Sequence, residues 1–351
     1  MIDLDTEAPA GGYAVPARRG SLFRAEWQRL FARRFTWIML AVVGVLLVVI
    51  AAGQAVTSTK PSPAQVAGAQ AELEKARGER LTQRIECERA KADPIEQGKY
   101  QGVDCERTFS DRDLRLERFL PHTFSFHNDV PPLVMVFGGI VALFGFAVGA
   151  SSVGAEWTTG GMTNLLLWRP RRLRVLGGKL AALLAGVAAV GVAGAAAWLG
   201  LLALIAATAG RTVDLTADFW QSLGWLELRA VTLAVGAAAL GFGLASLGRN
   251  TATALGIGVG YAIVVEVGAR IVLLLSDTTR PERFFLSSYA EAWLRVKAEF
   301  TQFGCTGGGV DQECASVTWY LNAAQAAFVF GMLLIVVIGA AAWRLRRRDV
   351  T

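Results

Sequence analysis

The feature that most constrains this chain is a set of long stretches without a single charged residue. They cover 35–59, 130–155, 180–210, 230–248, 250–265 and 314–343. A helix needs about 20 predominantly apolar residues to cross the hydrocarbon of a bilayer. Five of the runs are long enough alone. The run 250–265 is short, but it continues through Glu266 and Arg270 to Leu275. The pattern predicts six spans, near 37–57, 132–153, 181–208, 229–248, 252–275 and 320–343. The chain is 53% hydrophobic and only 18% charged, against about 25% charged in soluble domains. Because the excess is gathered into runs, a single soluble core is excluded, and so are disorder and collagen-like structure.

The first run is too long for a signal-peptide core, and residues 1–20 carry Asp3, Asp5, Glu7, Pro9 and Pro16. It is expected to stay as an anchor. Charge sets the expected orientation. With the N-terminus inside, the inner segments 1–35, 154–180, 249–251 and 344–351 hold 16 Lys/Arg against 6 Asp/Glu, and the outer segments hold 17 against 22. The first outer loop exceeds the roughly 60-residue range of the positive-inside rule. Near the span ends the bias is plainer: Arg24, Arg29, Arg33 and Arg34, then Arg169 to Lys179, then Arg344 to Arg348. Both termini are expected in the cytoplasm of a multi-pass plasma-membrane protein. The net charge of +6 is then a topology signal, and no nucleic-acid partner is implied.

The cysteines agree. Cys87 and Cys105 fall in the first outer loop, Cys305 and Cys314 in the third, all on the oxidising side. The economical pairing is Cys87–Cys105 and Cys305–Cys314, with four unpaired thiols as the alternative. Zinc fits less well, since neither pair is C-x-x-C and the histidines are His122 and His127 alone.

The segments between spans have their own patterns. Residues 21–35 predict an amphipathic helix, with Phe23, Trp27, Leu30, Phe31 and Phe35 on one face and Arg24, Arg29, Arg33 and Arg34 around the other. Such a helix suits the inner membrane interface; an extension of the first span is the alternative. In the first outer loop, 64–92 reads as helix, 93–102 as a break, and 110–120 as a second helix capped by Ser110 with Asp113 in its first turn. In the inner loop, Glu156 to Trp168 predicts a short helix with Met162, Leu165, Leu166 and Leu167 apolar. Arg169-Pro170 ends it, and Arg171, Arg172 and Arg174 lead to Gly177-Gly178-Lys179. A purely topological loop needs basic residues but no apolar helix, so this one predicts docking to a cytosolic partner. In the third outer loop Phe285, Tyr289, Trp293, Val296 and Phe300 recur at helical spacing, which predicts one helix lying as a lid or extracellular gate; packing against other outer loops is the bland alternative. Gly145-x-x-x-Gly149 and Gly256-x-x-x-Gly260 permit close helix approach. Glu266 and Arg270, four apart on the fifth span, can form an intramembrane ion pair.

The chemistry of an enzyme is missing. No lysine is followed by Ser or Thr in a glycine-rich setting, so there is no Walker A loop, and there is no H-E-x-x-H. No catalytic, cofactor or metal residue is nominated.

At 154–179 the chain resembles the type-2 ABC-transporter permeases, the membrane subunits of ABC exporters. Their inner loop reads like G-x-E-x-x-x-G-x-x-x-x-L-x-x-P-x-x-R, ending in a lysine at the third span. Here the matching positions are Gly154, Glu156, Gly160 or Gly161, Leu165 to Leu167, Pro170, Arg171 or Arg172, and Lys179. The amphipathic helix, six spans and inner termini also resemble that family; the long first outer loop and its cysteines depart from it. The resemblance implies a non-enzymatic permease, paired with a second permease copy and clamped by cytosolic ABC ATPase subunits that carry the ATP and magnesium. Glu156, Gly160, Met162, Leu165, Leu166, Pro170, Arg171, Arg172 and Lys179 would form the ATPase-coupling loop. A lipid, amphipathic drug or hydrophobic peptide suits the apolar path better than a solvated ion. Two other classes compete: a non-transporting membrane protein whose outer subdomain binds a partner, and a secondary carrier, although carriers usually show repeats and broken, charged spans.

The expected fold is therefore an all-α integral membrane protein: tail and interfacial helix (1–35), span 1 (36–57), extracellular helical subdomain (58–131), span 2 (132–153), coupling loop (154–180), span 3 (181–208), span 4 (229–248), span 5 (252–275), an extracellular loop with an amphipathic helix (276–319), span 6 (320–343) and a basic tail (344–351).

Overall fold

A computed structural model describes residues 22–93, 96–100, 103–162, 164, 172–213, 215–276, 280–306 and 313–347. Among them, six helices are long and apolar enough to cross a membrane. The protein is an all-α, multi-pass membrane protein, with one small hairpin added at one end.

The elements follow in order. Helix α1 is Leu22–Ala32. At Arg33 the backbone is extended (φ −77°, ψ 126°), and α2, Arg34–Thr57, turns away into the first span. Helix α3, Pro63–Ala92, opens on a capping box in which Ser62 and Gln65 satisfy each other's backbone amides, with proline at its first position. Its 30 residues reach about 45 Å at about 1.5 Å per residue. A single turn, α4, Cys105–Thr108, packs against it, and the Cys87–Cys105 disulfide joins the two. The expected helix over 110–120 does not form. The chain makes two separate 3₁₀ turns instead, Asp111–Asp113 and Leu116–Arg118, and the Ser110 side chain caps neither. The acidic and basic residues that suggest a helix have no apolar stripe long enough to hold one against α3.

The remaining spans are α5 (Phe126–Thr158), α6 (Arg172–Ala209), α7 (Ala217–Gly248), α8 (Thr251–Leu275) and, after the hairpin, α10 (Ala323–Arg347). Several outrun the uncharged cores by two turns or more. A spanning helix can carry polar ends beyond the hydrocarbon, and counting apolar residues misses them. Helix α8 is not uniform: α-helix over Thr251–Tyr261, π-helix over Ala262–Ala269, and α-helix again over Arg270–Leu275.

The bundle is built around α5 and α7. A Cβ on Gly145 would stand 2.5 Å from the Ala234 carbonyl oxygen, and Gly149 lies as close to Ala238. In hydrocarbon there is no hydrophobic drive between helices, so close backbone approach supplies the packing energy. The other glycine pair, Gly256 and Gly260, meets nothing within 4 Å in this chain. At the end where α2 finishes, Ser58 is buried and ties three elements. Its hydroxyl donates to the Ala209 carbonyl at 2.7 Å and accepts from the Phe124 amide at 2.8 Å.

The aromatic stripe from Phe285 to Phe300 is not one helix. Helix α9 spans Leu286–Arg295 only. Val296 then takes a left-handed φ of 69°, uncommon for a β-branched residue, and the chain enters strand β1, Lys297–Thr306, paired antiparallel with β2, Glu313–Asn322. Phe285, Tyr289 and Trp293 keep their helical spacing, but Phe300 lies on β1 and stacks on Trp319 at 5.0 Å. Lys297 Nζ sits 3.6 Å from the Tyr320 ring centroid. Strand β2 carries its own signal: Trp319 and Leu321 are buried while Thr318, Tyr320 and Asn322 are exposed, a period of two.

The hairpin register sets Cys305 directly opposite Cys314. Facing Cα atoms in an antiparallel pair lie about 4.5–5.5 Å apart, inside the usual disulfide range of about 4.4–6.8 Å. Non-reducing peptide mapping should therefore find a Cys305–Cys314 link as well as Cys87–Cys105. The latter spans 18 residues, so Cys105→Ala should cost the subdomain between α2 and α5 about 3 kcal/mol. Limited proteolysis should then cut between α3 and α5 in the variant and spare the parent.

Candidate functional site

Two polar clusters mark the two ends of the bundle. The first joins α1, α5 and α6. Lys179 is 5% exposed, and its ammonium reaches Glu26 Oε2 at 2.7 Å and Glu156 Oε2 at 2.7 Å. Arg29 pairs with Glu26 Oε1 at 3.0 Å, and Arg33 with Glu156 Oε1 at 2.6 Å. Arg33 also donates to the Ser151 carbonyl at 2.8 Å. Charges therefore alternate along Arg29–Glu26–Lys179–Glu156–Arg33, each carboxylate held by two cations.

Position explains who takes part. Glu156 occupies the last turn of α5, Lys179 the second turn of α6, and Glu26 and Arg33 the helix and hinge before the first span. Leu30 of α1 lies over Gly186 of α6, where a Cβ would strike it, and this seats α1 across the start of α6. Glu26, which no sequence pattern singles out, is one of the buried acids of the protein. The void beside the cluster is about 20 Å³, room for about one water and no substrate. The arrangement is a joint.

The segment between Glu156 and Lys179 is only partly described. The expected single helix from Glu156 to Trp168 does not form, because α5 runs on to Thr158 and Gly160 then takes a left-handed φ of 72°, which glycine adopts without strain. Helix resumes at Gly161 and Met162, and the Met162 side chain is fully buried. Leu165, Leu166, Pro170 and Arg171 lie outside the described residues. Arg172 opens α6 and donates to the Leu345 carbonyl at 3.4 Å. Gly154 abuts the α7–α8 corner, where a Cβ would stand 2.5 Å from the Thr251 nitrogen.

The second cluster lies at the hairpin end, around the π-helical part of α8. Glu266 Oε1 accepts from the Tyr261 hydroxyl at 3.0 Å and from the Ser287 amide at 3.0 Å, and Oε2 accepts from the Ser287 hydroxyl at 2.6 Å. The Tyr261 hydroxyl accepts from the Leu286 amide at 2.9 Å. Span five thus captures the first amides of α9, groups that no helix can satisfy internally. The expected Glu266–Arg270 pair is present but long, 3.5 Å, and Arg270 sits closer to Ser287 Oγ at 2.9 Å. Of the stripe residues, Phe285 is buried under the Arg270 guanidinium, 4.5 Å from its ring centroid. The Tyr289 hydroxyl donates to the Arg283 carbonyl at 3.1 Å, and the Trp293 indole to the Arg229 carbonyl at 3.0 Å.

A family model described as ABC-2 family transporter protein matches residues 21–350. The chain belongs to the ABC-2 transporter family. No curated protein matches it significantly. As an ABC-2 protein it is the membrane permease component of an ABC transporter, a transport subunit and not a catalytic one.

One buried acid of this ABC-2 permease is hidden by the charge pattern. Glu227 lies within α7, and neither carboxylate oxygen has a hydrogen-bond partner among the described residues. The sequence places it in an outer loop because the uncharged run begins after it. The signal for an earlier helix start is Thr216, whose side chain accepts from the Phe219 amide.

The first joint makes a stability prediction. Lys179→Met would leave the Glu26 and Glu156 carboxylates facing each other, and breaking a buried pair costs about 3–5 kcal/mol. The unfolding midpoint in detergent should fall sharply, and Glu26→Gln in the same chain should recover part of the loss. An unchanged midpoint in Lys179→Met would mean the joint holds nothing.

Proposed function

We propose that this permease exports a hydrophobic or amphipathic substrate across the plasma membrane, with both termini cytoplasmic, driven by a separate ABC ATPase that binds the segment between α5 and α6. ATP and magnesium belong to that partner. The observation that carries the reading is the joint: the two helices flanking the segment are tied to each other through Glu156 and Lys179, and to α1 through Glu26 and Arg33. A push on the segment cannot be absorbed locally. It moves the ends of α5 and α6 and the interfacial helix together, which is what converting ATPase closure into rearrangement of the spans requires.

A second permease copy completes the path. The apolar window of α8 has no buried residue in this chain, and its Gly256 and Gly260 face open space. That face supports a permease pair, homodimer or related heterodimer, and membrane lipid covers what the partner leaves. At the opposite end, α9 and the hairpin act as the extracellular gate, latched to α8 by Glu266 and Ser287.

Docking and transmission are separable. Leu166→Arg should abolish co-purification of the ATPase. Glu156→Gln keeps the docking surface and weakens the joint, so the ATPase should still co-purify while its stimulation by cargo falls. An allosteric coupling of about 1–3 kcal/mol corresponds to about 5–150-fold, so the loss should reach at least about fivefold. Normal co-purification in the first variant, or undiminished stimulation in the second, refutes the assignment. For the gate, Glu266→Gln should loosen α9 and raise ATP hydrolysis in the absence of cargo at normal expression. Unchanged basal hydrolysis, with only a lower unfolding midpoint, would make α9 a static cover.

A further inference from the structure

One cavity is not absorbed by the coupling joint or by the latch. Between α7 and α10, under Trp293 of α9, lies a groove of about 280 Å³. Its walls are Gly236, Leu240, Phe330, Gly331 and Leu334, with Thr232 at its rim. The glycines create it: a Cβ on Gly236 or on Gly331 would meet nothing within 4 Å. Thr232 is exposed, so the groove opens away from the bundle axis.

Its polar groups are already spent. The Thr232 hydroxyl donates to the Leu228 carbonyl, and the Trp293 indole N–H donates to the Arg229 carbonyl. A ligand entering here finds no free donor from either, so it must be plain hydrocarbon along this length. From Thr232 to Leu240 the groove follows α7 for about 12 Å at about 1.5 Å per residue. A volume of about 280 Å³ is too small to seat a whole helix of a second copy, which is about 10–12 Å across with its side chains. The volume lies just under the range of about 300–1,000 Å³ usual for drug-sized ligands, which favours one slender chain over a ring system. The groove lies within membrane-spanning helices, so acyl chains are its surrounding medium.

We propose that this groove is a binding site for one acyl chain of a bilayer phospholipid, held between α7 and α10 and closed at its hairpin end by Trp293. The lipid fills the space left by Gly236 and Gly331 and so couples the seating of α9 to the surrounding leaflet.

The test uses the full chain reconstituted in phosphatidylcholine nanodiscs containing phosphatidylcholine with a diazirine in its acyl chain. After irradiation, label should concentrate on peptides covering 232–240 and 327–334, above that on the outward face of α2 around Val45 and Val49, which are exposed on the same chain. Gly236→Leu and Gly331→Leu fill the groove, and leucine favours helix over glycine, so both should fold and lose that label. Gly339→Leu adds the same bulk to α10 at another open glycine and should keep it. Label no denser than on α2, or insensitive to filling, reduces the groove to ordinary lipid contact and overturns the site. So does loss of label in Gly339→Leu. Label on these peptides in the monomer that is lost in the permease dimer would assign the groove to the second permease. Displacement of the label only during ATP turnover would make it part of the transport path; either result overturns the resident-lipid assignment.

Discussion

The close approach of α5 and α7 is the contact on which the rest of the structure leans. Lipid chains are as apolar as leucine, so the helices gain little by hiding apolar side chains from them. They gain by bringing backbones together, and Gly145 and Gly149 against Ala234 and Ala238 do that. Half of the apolar window of each of these two helices is buried, while α2 has 11% buried and α10 17%. The peripheral helices are therefore laid onto a rigid pair, and each needs a further device to fix its position.

Those devices are polar and sit at the ends. At one end the Glu26–Lys179–Glu156–Arg33 cluster fixes α1 and the start of α6 to the end of α5. At the other, Ser58 binds the ends of α2 and α6 to the residues before α5, and Glu266 binds α8 to α9. Buried ion pairs bring little net stability, because desolvating the charges offsets their attraction. What they supply is geometry. The alternating chain of charges works with the Leu30–Gly186 contact to fix where α1 meets the bundle.

Much of this is legible in the sequence. Uncharged runs locate the spans, because hydrocarbon excludes charge over a fixed thickness. The long helix α3 follows from composition, but the helix expected over 21–35 is cut short: α1 ends at Ala32, and Phe35 belongs to α2 beyond the extended Arg33. Other features escape for physical reasons. The stripe from Phe285 to Phe300 has helical spacing by accident of two elements meeting at Val296, and only the alternation around Trp319 speaks for a strand. Glu156 and Lys179 are legible as members of a loop pattern, but not as partners, since a whole loop of sequence separates groups whose Nζ–Oε distance is 2.7 Å. Glu26 is hidden for a related reason. A carboxylate among arginines on an amphipathic helix looks solvated until the lysine that covers it is brought there by another span.

The same contrast singles out one span. Within one copy α8 is the least buried of the six spans. It is tethered at one end by the short turn from α7 and at the other by the Glu266–Ser287 bonds, and between them it carries the π-helical stretch Ala262–Ala269. A π-helix breaks the regular i→i−4 ladder and is often found where a helix does functional work. Here it turns Glu266 and Tyr261 towards the first amides of α9. Any shift of α8 against the α5–α7 pair must therefore break those hydrogen bonds or the Trp293–Arg229 bond that ties α9 to α7. Helix α9 is bonded to α7 as well, through the Trp293 indole and the Arg229 carbonyl, so it bridges the least buried span and the α5–α7 pair, while α8 meets α5 directly at Gly154–Thr251 and at Gly258–Phe146.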